Sequence, residues 1–245
     1  ITLLKYYQDV VGRRDTNMVT SFPIFAHEIS NLQVFVSYFD NIKKNTFVLN
    51  ILTLISGTAI SQGILFAATP FLSRIFSPED FGVFSIYAAT VSIIASVASW
   101  KYELAIMLPE KEKDVQALFV LSMLATLATA IVVFLLILVF RPLLVQYATD
   151  QINIFIWIVP LGVLFAGWLQ VLISFGTKKK IFRSISITRA SQAASGVGFQ
   201  GAIGGFKLFS LGLVWGKLAG DIIAFFYLII ALTRKQFIHM KTVSR

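Results

Sequence analysis

Long apolar runs separated by short polar turns fill the chain from residue 45 to residue 233. Each run is long enough to cross a bilayer as an α-helix, which takes about 20 mostly apolar residues. The pattern predicts an all-α fold, a polytopic membrane helix bundle with six transmembrane helices. The predicted spans are residues 47–72, 81–108, 115–140, 152–175, 184–206 and 207–233, of which the fifth is only weakly apolar.

More polar segments flank this six-helix lobe. Residues 1–44 form a half-polar lead with one apolar helical face, as expected for an amphipathic helix at the membrane surface. The apolar positions of that face are Leu32, Phe35, Val36 and Phe39. Residues 234–245 form the predicted cytoplasmic tail.

Composition and loop charge agree with a membrane protein. The chain of 245 residues is 57% hydrophobic and only 13% charged, whereas soluble domains carry about 25% charged residues. The net charge of +9 is explained by basic loops held in the cytoplasm, so no nucleic-acid partner is expected. Sixteen of the 21 basic residues lie on the side that holds both termini, and three lie on the other, namely Arg74, Arg141 and Lys207. The positive-inside rule therefore predicts cytoplasmic termini.

The sequence lacks the groups that enzymes and metal centres use. There is no cysteine, and His27 and His239 are isolated, so no metal site and no cofactor are expected. A formal dinucleotide pattern, Gly196, Gly198 and Gly201 followed by Asp221, lies in a helical context without the preceding strand that such a site requires. We therefore expect a protein that is not an enzyme.

Small residues recur every four positions in the last two predicted spans. They are Ser186, Ala190, Ala194, Gly198 and Ala202 in the fifth span and Gly212, Gly216 and Gly220 in the sixth. Small residues at this spacing let two helix backbones approach closely in lipid. We expect these two spans to pack tightly, against each other or against a neighbour, through these faces.

Polar and charged side chains mark a candidate site in the same two spans. Arg189, Gln192 and Gln200 share one helical face, roughly opposite the small residues. Lys217 and Asp221 lie one turn apart in the next span, with Lys217 placed ~15 Å inside the outer end. One interpretation is a simple ion pair. The other is a cationic cavity for an anionic ligand, in which Asp221 limits the positive charge or carries a coupling proton.

Four further polar residues lie outside these two spans. Glu103 and Lys101 are candidates for a local ion pair at an interfacial anchor beside Trp100 and Tyr102. Alternatively, Glu103 is a second candidate for ion coupling. Gln62 and Gln170 are candidates for hydrogen bonds between helices or for cavity lining, and Gln62 is included among the substrate-binding candidates.

Four stretches resemble bacterial polysaccharide flippases of the O-antigen and capsule-repeat branch of the multidrug/oligosaccharidyl-lipid/polysaccharide exporter superfamily. They are KKNTFVLNILTLISGTAISQ, RIFSPEDFGVFSIY, WKYELAIMLPEKEKDV and KKKIFRSISITRASQAASGVGFQGAIGGF, within residues 42–233. The resemblance implies a carrier that moves undecaprenyl-pyrophosphate-linked oligosaccharide across the bacterial inner membrane, driven by an ion gradient. The family's cationic cavity is compatible with Arg189 and Lys217, although no family motif maps onto either residue.

Family members have about twelve to fourteen helices in two lobes, so the resemblance implies that this chain is one lobe of a longer carrier. The implied partners are membrane lipid, the lipid-linked oligosaccharide, glycan polymerase machinery, and a missing second lobe or a second copy. The alternatives are a small-molecule or drug exporter of the same superfamily and a non-catalytic membrane subunit of glycan assembly. A glycan polymerase or ligase is disfavoured because the outer loops are too short for a catalytic domain.

Overall fold

The structure, a computed structural model, describes residues 46–147, 156–205 and 212–243. Residue contacts divide the chain into Ile1–Ile51 and Leu52–Arg245, and the packing described below is that of the second unit. The predicted lead, residues 1–44, and Lys207 lie outside the described residues.

Most of the described residues are helical, and none of them forms a strand. Seven α-helices follow one another, here numbered α1 to α7, with a short 3-10 turn, Ile156–Ile158, before α5. Their bounds are Thr46–Ile75 (α1), Pro78–Ala98 (α2), Tyr102–Ala105 (α3), Glu112–Tyr147 (α4), Val159–Lys178 (α5), Phe182–Gly205 (α6) and Gly212–Val243 (α7). The predicted all-α polytopic bundle is confirmed.

Five of these helices are long and apolar enough to cross a membrane, namely α1, α2, α4, α5 and α7. The helix α6 occupies the predicted fifth span and has 24 residues, but it is not among the five. Its serines, glutamines and Arg189 lower its hydropathy, and a helix of this kind is compatible with lipid only when neighbouring helices cover its polar groups. The helix α7 accepts hydrogen bonds from Gln192 and Gln200 of α6. Together α5 and α7 form the core of the bundle, because half of the apolar stretch of each is buried, against 17% for α1 and α4.

The second predicted span is too long, because the helix ends at Ala98 rather than at residue 108. Trp100 and Lys101 both adopt left-handed backbone conformations, with φ of 52° and 62°. A left-handed residue cannot continue a right-handed helix. The polar end of the predicted span is therefore a turn that leads into the four-residue helix α3.

The turn between α1 and α2 follows from its sequence, SPED. Ser77 caps α2: its hydroxyl accepts from the Asp80 backbone N–H at 3.2 Å, and the Asp80 carboxylate accepts from the Ser77 backbone N–H at 2.9 Å. Pro78 occupies the first turn, where its missing N–H costs nothing. This capping box fixes the start of α2.

The two ends of the bundle agree with the predicted topology. At one end, Lys178 donates to the Met107 carbonyl at 2.8 Å and Lys179 pairs with Glu112, so two loops predicted on the cytoplasmic side lie together. At the other end, Gly212 packs against Phe76, which joins two turns predicted on the outer side. Loops predicted on the same side of the membrane are therefore neighbours.

Candidate functional site

The candidate site lies between α6 and α7, which form the most extensive helix pair of the described residues. Two glycines of α7 allow this approach. A β-carbon on Gly220 would lie 2.7 Å from the Gln192 carbonyl oxygen and 3.1 Å from Gly196 Cα, and one on Gly216 would lie 2.9 Å from the Gly196 carbonyl oxygen. Any side chain larger than hydrogen would force the helices apart.

The predicted close approach of these helices is confirmed, but the predicted face of α6 is wrong. Ala194, Gly198 and Ala202 are exposed, and a β-carbon on Gly198 would meet no atom within 4 Å. Only Ser186 at the start of that row packs closely, against Gly57 of α1. The face turned towards α7 is the polar one, because buried glutamine amides need hydrogen-bond partners that lipid cannot supply.

Gln192, Lys217 and Asp221 form one network across this interface, here called the carboxylate network. The Gln192 side-chain amide donates to Asp221 Oδ1 at 2.6 Å, and Lys217 Nζ lies 2.5 Å from Oδ1 and 2.7 Å from Oδ2. The Asp221 side chain is 1% exposed, whereas the Lys217 side chain is 38% exposed. The acid is therefore enclosed, and the cation is the part of the network that a ligand can reach.

The network lies within the apolar stretch of α7. At a rise of ~1.5 Å per residue, Asp221 lies about 14 Å and Lys217 about 8 Å from Gly212. Asp221 is thus closer than Lys217 to the middle of the stretch Gly212–Arg234. The sequence-based depth of Lys217 was larger because it was counted from residue 207.

Gln200 also turns towards α7, but it makes a different contact. Its amide donates to the Leu213 carbonyl at 3.0 Å, and the residue is buried. Leu213 lies in the first turn of α7, so Gln200 fastens the two helices near that end. The structure therefore places Gln200 as an interhelical contact two turns from the carboxylate network.

Arg189 lies apart from Lys217. The contacts of Gln192 with Asp221 and of Gln200 with Leu213 define an antiparallel register. In this register Arg189 lies about 10 Å along the helix axis from the level of Lys217. Arg189 is half-buried and forms no ion pair with any described residue. The two predicted cations therefore do not share one contact site within this lobe.

A second buried acid, Glu103, lies beneath the turn between α2 and α3. It is 1% exposed and accepts hydrogen bonds from the Ser99 hydroxyl and, at 3.3 Å, from the Gln170 amide of α5. Lys101 Nζ stands 4.0 Å away and also donates to the Ser96 carbonyl. The predicted ion pair and the predicted interhelical role of Gln170 are both confirmed. Sequence reasoning missed Ser99, although its spacing of four residues before Glu103 was a usable signal.

Gln62 lies far from these contacts, on the exposed face of α1. It lines an open groove of about 410 Å³ together with Leu54, Ile55, Thr58 and Ala59. The groove walls are almost wholly apolar. The structure does not bring Gln62 to the carboxylate network in the described part of the chain.

The described residues contain no cluster of three or more histidine or acidic side chains placed to hold a metal ion. The glycines of the formal dinucleotide pattern, Gly196, Gly198 and Gly201, all lie inside α6. A continuous helix cannot offer the phosphate-binding turn that such a pattern needs. These three glycines therefore do not form the turn of a dinucleotide site.

Comparison with protein families identifies the chain. The profile of the family described as polysaccharide biosynthesis protein matches residues 71–244, which is more than half of the chain and includes both α6 and α7. No curated protein and no solved structure gives a significant match. The chain belongs to the polysaccharide biosynthesis protein family, as a multi-pass membrane protein.

Proposed function

We propose that this chain is a lobe of a flippase that moves undecaprenyl-pyrophosphate-linked oligosaccharide across the bacterial inner membrane for surface polysaccharide synthesis. The other half of the path comes from a second lobe or a second copy, since alternating access needs two halves that rock about a shared site. The protein acts as a carrier without enzymatic chemistry, and both termini lie in the cytoplasm.

The observation that carries this proposal is the carboxylate network in the membrane. A charged group in a helix centre costs about 2.5 kcal/mol or more, so it persists where it is paired or serves a polar path. The Asp221 carboxylate is held by Gln192 and Lys217, which satisfies it within the protein. The Lys217 side chain remains over one-third exposed, and its ammonium group can attract an anionic headgroup without leaving the acid unpaired.

Arg189 supplies a second, separate cation along the proposed path. It is half-buried on α6, about 10 Å along the axis from Lys217, and forms no ion pair within the described residues. A planar guanidinium can bind two phosphate oxygens at once. Two cations at different depths suit a diphosphate that moves from one position to another along the path. A single fixed binding site would suit such a movement less well.

The family match favours this function over the alternatives. A drug exporter of the same superfamily that carries cationic compounds would need an accessible acid, whereas here the acid is enclosed and the cation is exposed. In a non-catalytic subunit of glycan assembly, the carboxylate network would serve only to stabilise the protein. Coupling to an ion gradient would use Asp221 or Glu103, the two enclosed acids of the described helices.

Surface polysaccharide display in the native host, with the intact protein, tests the proposal. Lys217→Gln, whose amide can still donate to Asp221, and Arg189→Gln should reduce display several-fold relative to the amount of protein present, and Lys217→Arg should retain most of it. The matched control is Lys113→Gln, which removes the same charge from an exposed turn. Normal display in both Lys217→Gln and Arg189→Gln would exclude the cationic path.

A further inference from the structure

The end of the bundle that carries the α2–α3 turn exposes an unusual row of large apolar side chains. Trp100 is 66% exposed, Leu104 61% and Leu108 78%. They recur every four residues. Between them, Glu103 and Ile106 are buried at 1% and 0%. The segment is thus two-sided, with one side packed into the bundle and the other turned outwards.

The turn that exposes this row has a strained backbone. Trp100 and Lys101 are both left-handed, a conformation that costs a non-glycine residue about 1–2 kcal/mol. The contacts that hold the turn are those of Glu103 with Ser99 and Gln170, on the buried side. The Trp100 side chain buries little of its surface inside the protein. Its outward orientation is therefore energetically favourable only if a partner covers it.

Two exposed cations lie at the same end of the bundle as this row. Lys178 donates to the Met107 carbonyl at 2.8 Å, which brings the α5–α6 turn against the segment. Lys180 in that turn and Arg183 in the first turn of α6 are exposed, and neither forms an ion pair with a described residue. Lys179, by contrast, is paired with Glu112. Apolar side chains and unpaired cations therefore lie at the same end of the bundle.

We propose that Trp100, Leu104, Leu108, Lys180 and Arg183 form an interfacial surface that binds anionic lipid headgroups. Tryptophan is enriched at the depth of the headgroups, where its ring is amphipathic. A Lys or Arg at that depth attracts anionic lipid at about 1 kcal/mol per residue. The leucines enter the acyl boundary, and Lys180 and Arg183 contact the lipid phosphates. This surface is independent of the transported molecule.

Two measurements on the intact protein in liposomes test this surface. The first is the depth of Trp100, taken as the difference in tryptophan fluorescence between the wild type and Trp100→Phe. Lipids brominated near the headgroup should quench this difference signal more strongly than lipids brominated near the chain end. Quenching by aqueous iodide, with none by either lipid, would overturn the proposal.

The second measurement is the preference for spin-labelled phosphatidylglycerol over phosphatidylcholine. Lys180→Gln combined with Arg183→Gln should lower that preference several-fold and leave the Trp100 depth unchanged. The matched control is Lys111→Gln with Lys113→Gln, which removes the same charge from an exposed turn shared with acidic residues. The proposal would be overturned if both double variants lost the preference for phosphatidylglycerol equally, or if Lys180→Gln combined with Arg183→Gln lost none of it. Binding of inorganic phosphate in detergent without any preference for anionic lipid would also overturn it.

Discussion

Gln192 of α6 and Lys217 of α7 both reach Oδ1 of Asp221, at 2.6 Å and 2.5 Å. One buried carboxylate oxygen thus joins an interhelical contact and an ion pair within α7. The arrangement ties the packing of the two helices to the charge balance at the candidate site. Changes at Asp221 should therefore affect both stability and transport, and suitable variants can separate the two effects.

Asp221→Leu should destabilise the protein by about 1–3 kcal/mol, because the partly exposed Lys217 ammonium loses its partner within the apolar stretch of α7. The double variant Lys217→Met with Asp221→Leu should recover most of that loss, since no unpaired charge remains. Thermal unfolding in detergent measures both. A double variant no more stable than the single one would show that the ion pair is not the source of the loss.

Gly220→Ala should destabilise the α6–α7 pair by about 1–3 kcal/mol. Its β-carbon would lie 2.7 Å from the Gln192 carbonyl oxygen, so the helices must separate. Gly198→Ala is the control, because a β-carbon there would meet no atom within 4 Å. The two variants should differ clearly in melting temperature. Equal melting temperatures would contradict the described interface.

Glu103→Gln should preserve most of the stability, because its amide oxygen can accept from the Gln170 amide while its NH2 group donates to the Ser99 hydroxyl oxygen. Glu103→Leu should cost about 1–3 kcal/mol for the polar groups left unpaired. If Glu103 carries the coupling ion, Glu103→Gln will also lose the dependence of transport on the ion gradient. An unchanged dependence would leave Glu103 as a structural residue that holds the turn.

The absence of cysteine makes the topology easy to test by labelling single introduced cysteines. Arg74→Cys should react with a membrane-impermeant maleimide added outside intact spheroplasts. Lys113→Cys should react only after the membrane is permeabilised. The reverse pattern would invert the predicted orientation, and labelling of both from outside would contradict the placement of the two turns on opposite sides.

Much of the fold could be predicted from the pattern of apolar residues, because a bilayer imposes a length on each span. The end of α2 could not, since it depends on two left-handed residues, Trp100 and Lys101, which carry no glycine or proline signal. The polar character of α6 was visible in the sequence. Whether such a polar helix crosses the whole membrane depends on how neighbouring helices cover its polar side chains.

The candidate site was predicted in part. Lys217 with Asp221 followed from a spacing of four residues, which places both on one helix face. The partner of Asp221 on α6 did not follow, because the register between two helices depends on how side chains from both fit together. Small residues drew attention to the row containing Ala194 and Gly198, yet hydrogen bonding of Gln192 and Gln200 turned the opposite face towards α7.

The most direct test of the central claim is the rate at which the intact protein, reconstituted in liposomes, moves a fluorescent lipid-diphosphate oligosaccharide across the bilayer. Lys217→Gln should slow this movement at least about tenfold, which corresponds to about 1.4 kcal/mol, and Lys217→Arg and Lys113→Gln should leave it close to the wild-type rate. Wild-type rates in Lys217→Gln would contradict the account.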